Sequence, residues 1–244
     1  MQVVTKDTLP ETSKESILYK GPSGSRKTPN AFSWPTPIYG AYFDANRKNV
    51  DAMIREGRDI TLFIPESFAE FDREFITKAY HREFECQTLV VDTIDFAAAM
   101  LMGEIQGSKA RMVMQDWGKL LSDLRQAVFR LTSCTKEIEG KPSYNVVFTS
   151  HLMDVTNDDG VLLKTVPKLS GQFKDEIEDY FDTVLICQAK RTNVIVAGKS
   201  VAQKEFICHS IPPTDQQTAK GMGLPPTVDG MYSSLRKAWD AKDV

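Results

Sequence analysis

The sequence predicts an α/β fold: a mainly parallel sheet flanked by helices, with antiparallel edge strands. Three observations predict it. Short apolar runs at 17–19, 38–44, 61–64, 87–91 and 144–149 alternate with stretches of helical periodicity, the pattern of strands joined by crossover helices. The first run leads straight into a loop containing two glycines, Gly21-Pro22-Ser23-Gly24-Ser25-Arg26-Lys27-Thr28. Three later runs, at 184–187, 193–196 and 205–208, lie too close together for crossover helices, so they read as antiparallel hairpin strands.

The bulk numbers agree with this class. A chain of 244 residues suits one domain with tails: a flexible arm over 1–15, a core over 16–210, and an extended tail with a short helix over 211–244. Hydrophobic residues make up 41% and charged residues 26%, values of a globular protein. No apolar run approaches the roughly 18 residues that span a bilayer. The first residues lack the apolar stretch of a signal peptide, so the expected setting is the cytoplasm, away from membranes. A net charge of −3 argues against a dedicated polyanion binder but leaves room for local basic loops. Cys86, Cys134, Cys187 and Cys208 are far apart and read as reduced, buried thiols. Cys208-His209, without a second pair, is weak evidence for a metal.

Within the arm, Val3-Val4 suits addition to a neighbouring sheet edge, and a disordered tail is an equal reading. Ile17 to Tyr19 reads as a short buried strand. The loop after it fits G-x-x-x-x-G-K-[ST] at every position but one. Its glycines let backbone N–H groups curl inward onto phosphate oxygens. Lys27 supplies a point charge for the β/γ-phosphates, and the Thr28 hydroxyl can ligate Mg²⁺. The departure is Arg26, where the pattern has Gly. A short helix should follow Lys27, with Pro29 in its first turn and Pro35 and Pro37 ending it. Ile38 to Asp44 reads as a second strand, Asn49 to Glu56 as a helix, and Thr61 to Ile64 as a third strand. Ser67 followed by Glu70 is a capping box opening a helix, with Phe68, Phe71 and Phe75 as its core stripe.

Gln87 to Val91 reads as a buried strand ending in Asp92. A carboxylate leaving the sheet there can hold Mg²⁺ opposite Thr28, and a plain helix N-cap is the competing reading. Asp95 to Met102 should be helical, 103–111 a polar loop, and about 111–132 a long amphipathic helix. Its apolar face would be Met114, Trp117, Leu121, Leu124, Val128 and Leu131. Tyr144 to Thr149 is a further buried strand, running into Ser150 and His151. Residues 152–172 read as a loop or hairpin, followed by a short helix from Asp175. After the hairpin strands the chain from Ile211 is extended, with a last helix at about 231–239.

Several separated segments agree with one family. Residues 17–28, Leu89-Val90-Val91-Asp92-Thr93 and Val147-Phe148-Thr149-Ser150-His151 match it. So do Val166-Pro167-Lys168-Leu169-Ser170-Gly171, Tyr180-Phe181-Asp182 and the ending Ala219-Lys220-Gly221-Met222-Gly223-Leu224-Pro225-Pro226. Over about residues 16–226 the chain resembles the phage nucleotide-binding proteins, RecA-like P-loop ATPases of the Sak-type single-strand-annealing recombination group. The resemblance implies a RecA-like P-loop NTPase core, ATP and Mg²⁺ as cofactors, self-association into a filament or ring, and single-stranded DNA as partner. A phage-encoded protein would act in the host cytoplasm.

It also implies roles. The water-activating acid of RecA-like proteins follows the second strand, in a segment resembling Phe43-Asp44-Ala45-Asn46. The matching position here is Asn46, whose amide orients water but cannot take its proton. Asp44 is the nearby substitute, or an acid capping the turn. His151 stands where such proteins carry a sensor of the γ-phosphate, against the reading of a satisfied buried histidine. Lys220 resembles a cation that reaches into a neighbour's site, against that of a solvated tail lysine. The loops facing a filament axis would be about 103–113 and 152–172, offering Lys109, Arg111, Lys164 and Lys168 to DNA phosphates, with Lys174 just beyond. Asp154, Asp158 and Asp159 oppose DNA there. The expected function is thus an ATP-dependent recombination protein on single-stranded DNA with slow turnover. The alternative is a nucleotide-binding assembly protein with little or none, which Arg26 and Asn46 favour. A small-molecule kinase is disfavoured, because no arginine-rich lid separates the Asp92 strand from the 144–149 strand.

Overall fold

The structure, a computed structural model, describes residues 14–196 and 199–241. Most of the N-terminal arm, including Val3-Val4, lies outside the described residues. An eight-stranded sheet carries the fold, in the order β10-β9-β8-β1-β5-β4-β2-β3. Its parallel part comprises β1 (Ser16–Lys20), β2 (Ile38–Tyr42), β3 (Ile60–Phe63), β4 (Thr88–Asp92), β5 (Asn145–Ser150) and the start of β8 (Thr183–Val196). β9 (Lys199–His209) and the short β10 (Thr227–Val228) run antiparallel at the edge. The expected class, a mainly parallel sheet with antiparallel edge strands, is the one observed. β1 sits between β5 and β8, and every residue of it is buried. That explains its apolar run: a central parallel strand is covered on both faces.

Two hydrophobic clusters lie on the two faces. One is built by α5 (Ile94–Gln106), α6 (Met114–Thr132) and the phenylalanines of the helix that opens at Phe68. The other gathers Phe32 and Trp34 after the short α1 (Lys27–Ala31), Val50 of α2 (Lys48–Arg55), and Leu235 of the last helix, α8 (Tyr232–Asp240). The Ser67 cap forms as expected, its hydroxyl accepting from the Glu70 N–H at 3.0 Å. The helix then runs from α3 (Phe68–Phe71) through a π-helical stretch (Asp72–Thr77) into α4 (Lys78–His81).

Four expectations need correction. α5 continues through Gly103 to Gln106, because Leu101 and Ile105 pack on the core and outweigh the roughly 1 kcal/mol that glycine costs a helix. The polar loop expected over 103–111 therefore lies at 107–113, and the loop expected to face a filament axis at about 103–113 is shortened to the same residues. The core face of α6 is Leu120, Leu124, Ala127, Val128 and Leu131, whereas Met114 and Trp117 are largely exposed. The segments 184–187 and 193–196 belong to one strand, β8, which pairs parallel with β1 before extending as a ribbon with β9. Gln188 to Thr192 look like a turn in sequence because that ribbon is solvated. The fourth concerns the second strand: Asp44 lies two residues past its end, in the following loop. Residues 152–172, open between loop and hairpin in the sequence, contain the hairpin β6 (Leu152–Thr156) and β7 (Leu162–Pro167), a separate two-stranded sheet. A short α7 (Phe173–Glu176) follows.

Candidate nucleotide site

A cavity of about 430 Å³ opens at the C-terminal ends of β1, β2, β4 and β5. Ser23, Gly24, Arg26, Lys27 and Thr28 line one side, and Tyr42, Asp44, Asn46, Asn49, Thr93, His151 and Phe206 the others. The loop folds back because Gly21 can lie directly against the Cys187 carbonyl of β8, where any Cβ would collide. Its N–H is held by the Ser150 carbonyl at 3.2 Å. Ser25 closes the turn, its hydroxyl donating to the Pro22 carbonyl at 2.8 Å. Gly24 has φ 74°, and Arg26 φ 72°. The left-handed backbone that the pattern's second glycine supplies is thus present, but occupied by arginine, at a cost of about 1–2 kcal/mol. The Arg26 guanidinium stacks over Phe206 of β9, 5.5 Å from its centroid, which offsets part of that.

Lys27 is 6% exposed. Its ammonium donates to the carbonyls of Gly21 at 2.8 Å and Pro22 at 2.9 Å, so it folds over the loop. Burial lowers its pKa, and the nearby Asp92 and Asp95 charges oppose that. Asp92, at the end of β4, is 1% exposed. Burial pushes its carboxyl up, while Thr149 and Thr28 favour the charged form. Thr149 donates to Oδ1, whereas Oδ2 is buried with no hydrogen-bond partner among the described residues. A buried, half-satisfied carboxylate beside a lysine and a threonine hydroxyl fits a divalent cation, which would supply the missing partner. Thr28 and Asp92 are the side chains able to hold it. Among the described residues no group of three His, Cys, Asp or Glu side chains clusters as a metal site; the Cys208 thiol meets the Cys187 thiol at 3.1 Å, and the His209 ring meets Gln188 at 3.1 Å.

The family described as "AAA domain" matches residues 13–243. The chain belongs to this family. No curated protein sequence matches it. Among solved structures, the flagellar accessory protein FlaH from Methanocaldococcus jannaschii is similar over 85% of this chain and 90% of its own, with 11% identity and a TM-score of 0.38.

Around the cradle, this AAA domain brings together more than the sequence revealed. His151 lines the cavity and is held by Asp95 of α5: its N–H donates to Oδ1 at 3.1 Å and its Nδ1 meets Oδ2 at 2.8 Å. Burial raises the Asp95 carboxyl, but the His151 hydrogen bonds outweigh it and keep the pKa below its usual value. With Nδ1 committed to the carboxylate, Nε2 is the nitrogen left to act. Asp95 was missed because it reads as an ordinary acid in the first turn of a helix. Its spacing, three residues after Asp92, is the signal that puts it beside the same strand ends. Phe206 was read only as part of an edge strand. It lies two residues before Cys208, on the same face of β9, the face that meets Asn30 of α1, and it lines the cavity.

Asp44 and Asn46 both border the cavity, exposed, and both are used in the turn. Asp44 Oδ1 accepts from the Asn46 N–H at 3.0 Å, and Asn46 Oδ1 from the Lys48 N–H at 3.4 Å. Lys220 lies away from this cavity; its backbone pairs with Val184 and its ammonium donates to the Phe181 carbonyl at 2.7 Å. Lys109 is paired with Asp116 and Lys164 with Asp175, each at 2.6 Å. Arg111 and Lys168 are exposed and, among the described residues, form no ion pair. The Lys168 N–H bonds to the His151 carbonyl at 2.8 Å, joining the hairpin's base to the cavity wall. No helix among the described residues is long and apolar enough to cross a membrane.

Proposed function

We propose that this P-loop AAA domain binds ATP with Mg²⁺ and assembles on single-stranded DNA as a RecA-like recombination protein of the phage Sak-type annealing group. It would promote annealing or strand exchange in a host cytoplasm, with slow hydrolysis. The observation that carries the nucleotide part is that Lys27 and Thr28 line one cavity, with the half-satisfied Asp92 buried beside them. Residues 21–28 would cradle the phosphates, with Lys27 on the β/γ-phosphates and Mg²⁺ between Thr28 and Asp92. His151, oriented by Asp95, would sense the γ-phosphate and pass its state to the hairpin through Lys168. Asp44 or Asn46 would orient the attacking water once freed from the turn. Lys220 would act on a neighbouring copy's nucleotide after leaving the Phe181 carbonyl. For DNA, Arg111 and Lys168 are the open cations, and Lys109 and Lys164 would exchange carboxylates for phosphates.

The second reading is a nucleotide-binding assembly protein with little turnover. It is favoured by Arg26 in a glycine conformation and by the amide of Asn46 where an acid is needed. One set of measurements tests both. Lys27→Ala is expected to abolish ATP binding, and unchanged affinity ends the phosphate-loop reading. Phosphate release should rise with single-stranded DNA; binding of ATP with no DNA stimulation and no gel shift at low salt leaves only the second.

A further inference from the structure

We propose that copies of this chain join head to tail, the tip of the β6–β7 hairpin of one entering a groove between α5, α6 and the hairpin base of the next. The inference names a contact for the self-association proposed above and rests on that reading. Its first support is the hairpin. It forms a two-stranded sheet separate from the main one, a unit that is marginal without cover. Val161, Leu162 and Leu163 are 58%, 42% and 55% exposed. Leu162 pairs with Thr156 and Lys164 with Val155, so Leu163 is the extra residue of a bulge and adds to an exposed apolar patch near the tip. Such a patch needs cover. Asp158 and Asp159 stand at the hairpin tip, exposed and, among the described residues, in no ion pair.

The groove supplies the complement. It encloses about 540 Å³, and Phe96, Met102, Trp117 and Met153 form its apolar lining. Phe96 and Trp117 are 43% and 41% exposed, an unusual amount of bare aromatic surface. Lys168 and Lys174 stand on its border and form no ion pair among the described residues. The one acid that reaches it, Asp95, is engaged by His151. An acidic apolar tip therefore faces a basic apolar groove, the arrangement that fixes partner and register.

The two cannot meet within one molecule. Met153 and Lys168 at the hairpin base line the groove, and Asp158 at the tip stands five residues beyond Met153, on the order of 16 Å away. The contact is thus between different surfaces of two copies, which propagates as a ring or a filament. Phe96 also packs edge-on against His151, ring centroids 5.9 Å apart. A tip seated on Phe96 presses on the wall of the nucleotide cavity, so assembly should respond to nucleotide.

The test is light scattering and sedimentation of the full chain with a slowly hydrolysed ATP analogue. Asp158→Lys with Asp159→Lys, or Lys168→Asp with Lys174→Asp, should each weaken association on the order of tenfold. Mixing the two charge-reversed proteins should restore it, because each reversed tip then meets a reversed groove and each native tip a native groove. Unchanged association in both variants, or loss in both without rescue by mixing, overturns the contact. So does a groove reversal that lowers single-stranded DNA affinity while assembly stays intact, which assigns the groove to nucleic acid. ATP binding on the same proteins separates the two proposals: intact binding with unaltered assembly overturns the contact alone, and absent binding in the native chain overturns the functional reading.

Discussion

At the scale of single residues, the cradle was legible and its supports were not. Lys27, Thr28 and Asp92 declare themselves because the phosphate-loop pattern and a buried strand ending in an acid are local signals. Arg26 was legible only as a mismatch. Its left-handed backbone shows that the loop keeps the shape the pattern codes for, with the strain borne by one residue and a ring 180 positions later in the chain beneath it. Asp95 and Phe206 could not be read because their roles depend on which strand ends and which ribbon face come together. Asp95 yields a pH prediction. Its pKa lies below the ordinary 3.8, so its stabilising pairing with His151 is present above that pH and fades as pH falls through the lowered value. Asp95→Asn should lose about 1.5–3 kcal/mol at neutral pH, the worth of a charged hydrogen bond. Its stability should then fall less steeply than the native protein's below pH 4. Urea unfolding at pH 7 and pH 3 checks this, and parallel pH profiles would contradict it.

At the scale of elements, the strands of the parallel sheet were each found within a residue or two at most of their bounds, apart from β8. Continuous apolar runs are strong signals when a strand is covered on both faces. The ribbon of β8 and β9 failed that reading because its far half has no covered face and so no apolar run. α6 shows the opposite error: its stripe is periodic from Met114, but it is buried in the core only from Leu120 onward. The helix opening at Ser67 was read well, and its phenylalanines explain why. Phe71 is fully buried and meets Phe43, Phe68 and Phe75 with ring centroids 4.9, 5.7 and 5.5 Å apart. Phe71→Ala should cost about 3–5 kcal/mol. The midpoint of urea unfolding measures it, and a loss under 1 kcal/mol would mean that the π-helical turn lets the site collapse.

At the scale of the whole molecule, the class was legible and the strand order was not. Crossover lengths identify parallel strands, but nothing local says that β5 inserts between β1 and β4 or that β8 takes the other side of β1. The tail helix expected at about 231–239 is α8, but its docking was not legible: Leu235 is buried, and Tyr232 and Trp239 flank Trp34 at 4.8 and 6.4 Å. The flanked position of β1 has a consequence in time rather than in space. Its amides are locked into a covered sheet from both sides, so they can trade hydrogen for deuterium only when the entire domain opens. The loop that follows it carries no such lock on its far side. In a deuterium-uptake experiment, residues 16–20 should stay silent for as long as the slowest amides of the protein. The glycine-containing turn next to them should exchange early and slow sharply on adding ATP, giving a clock and its stationary reference within a dozen residues.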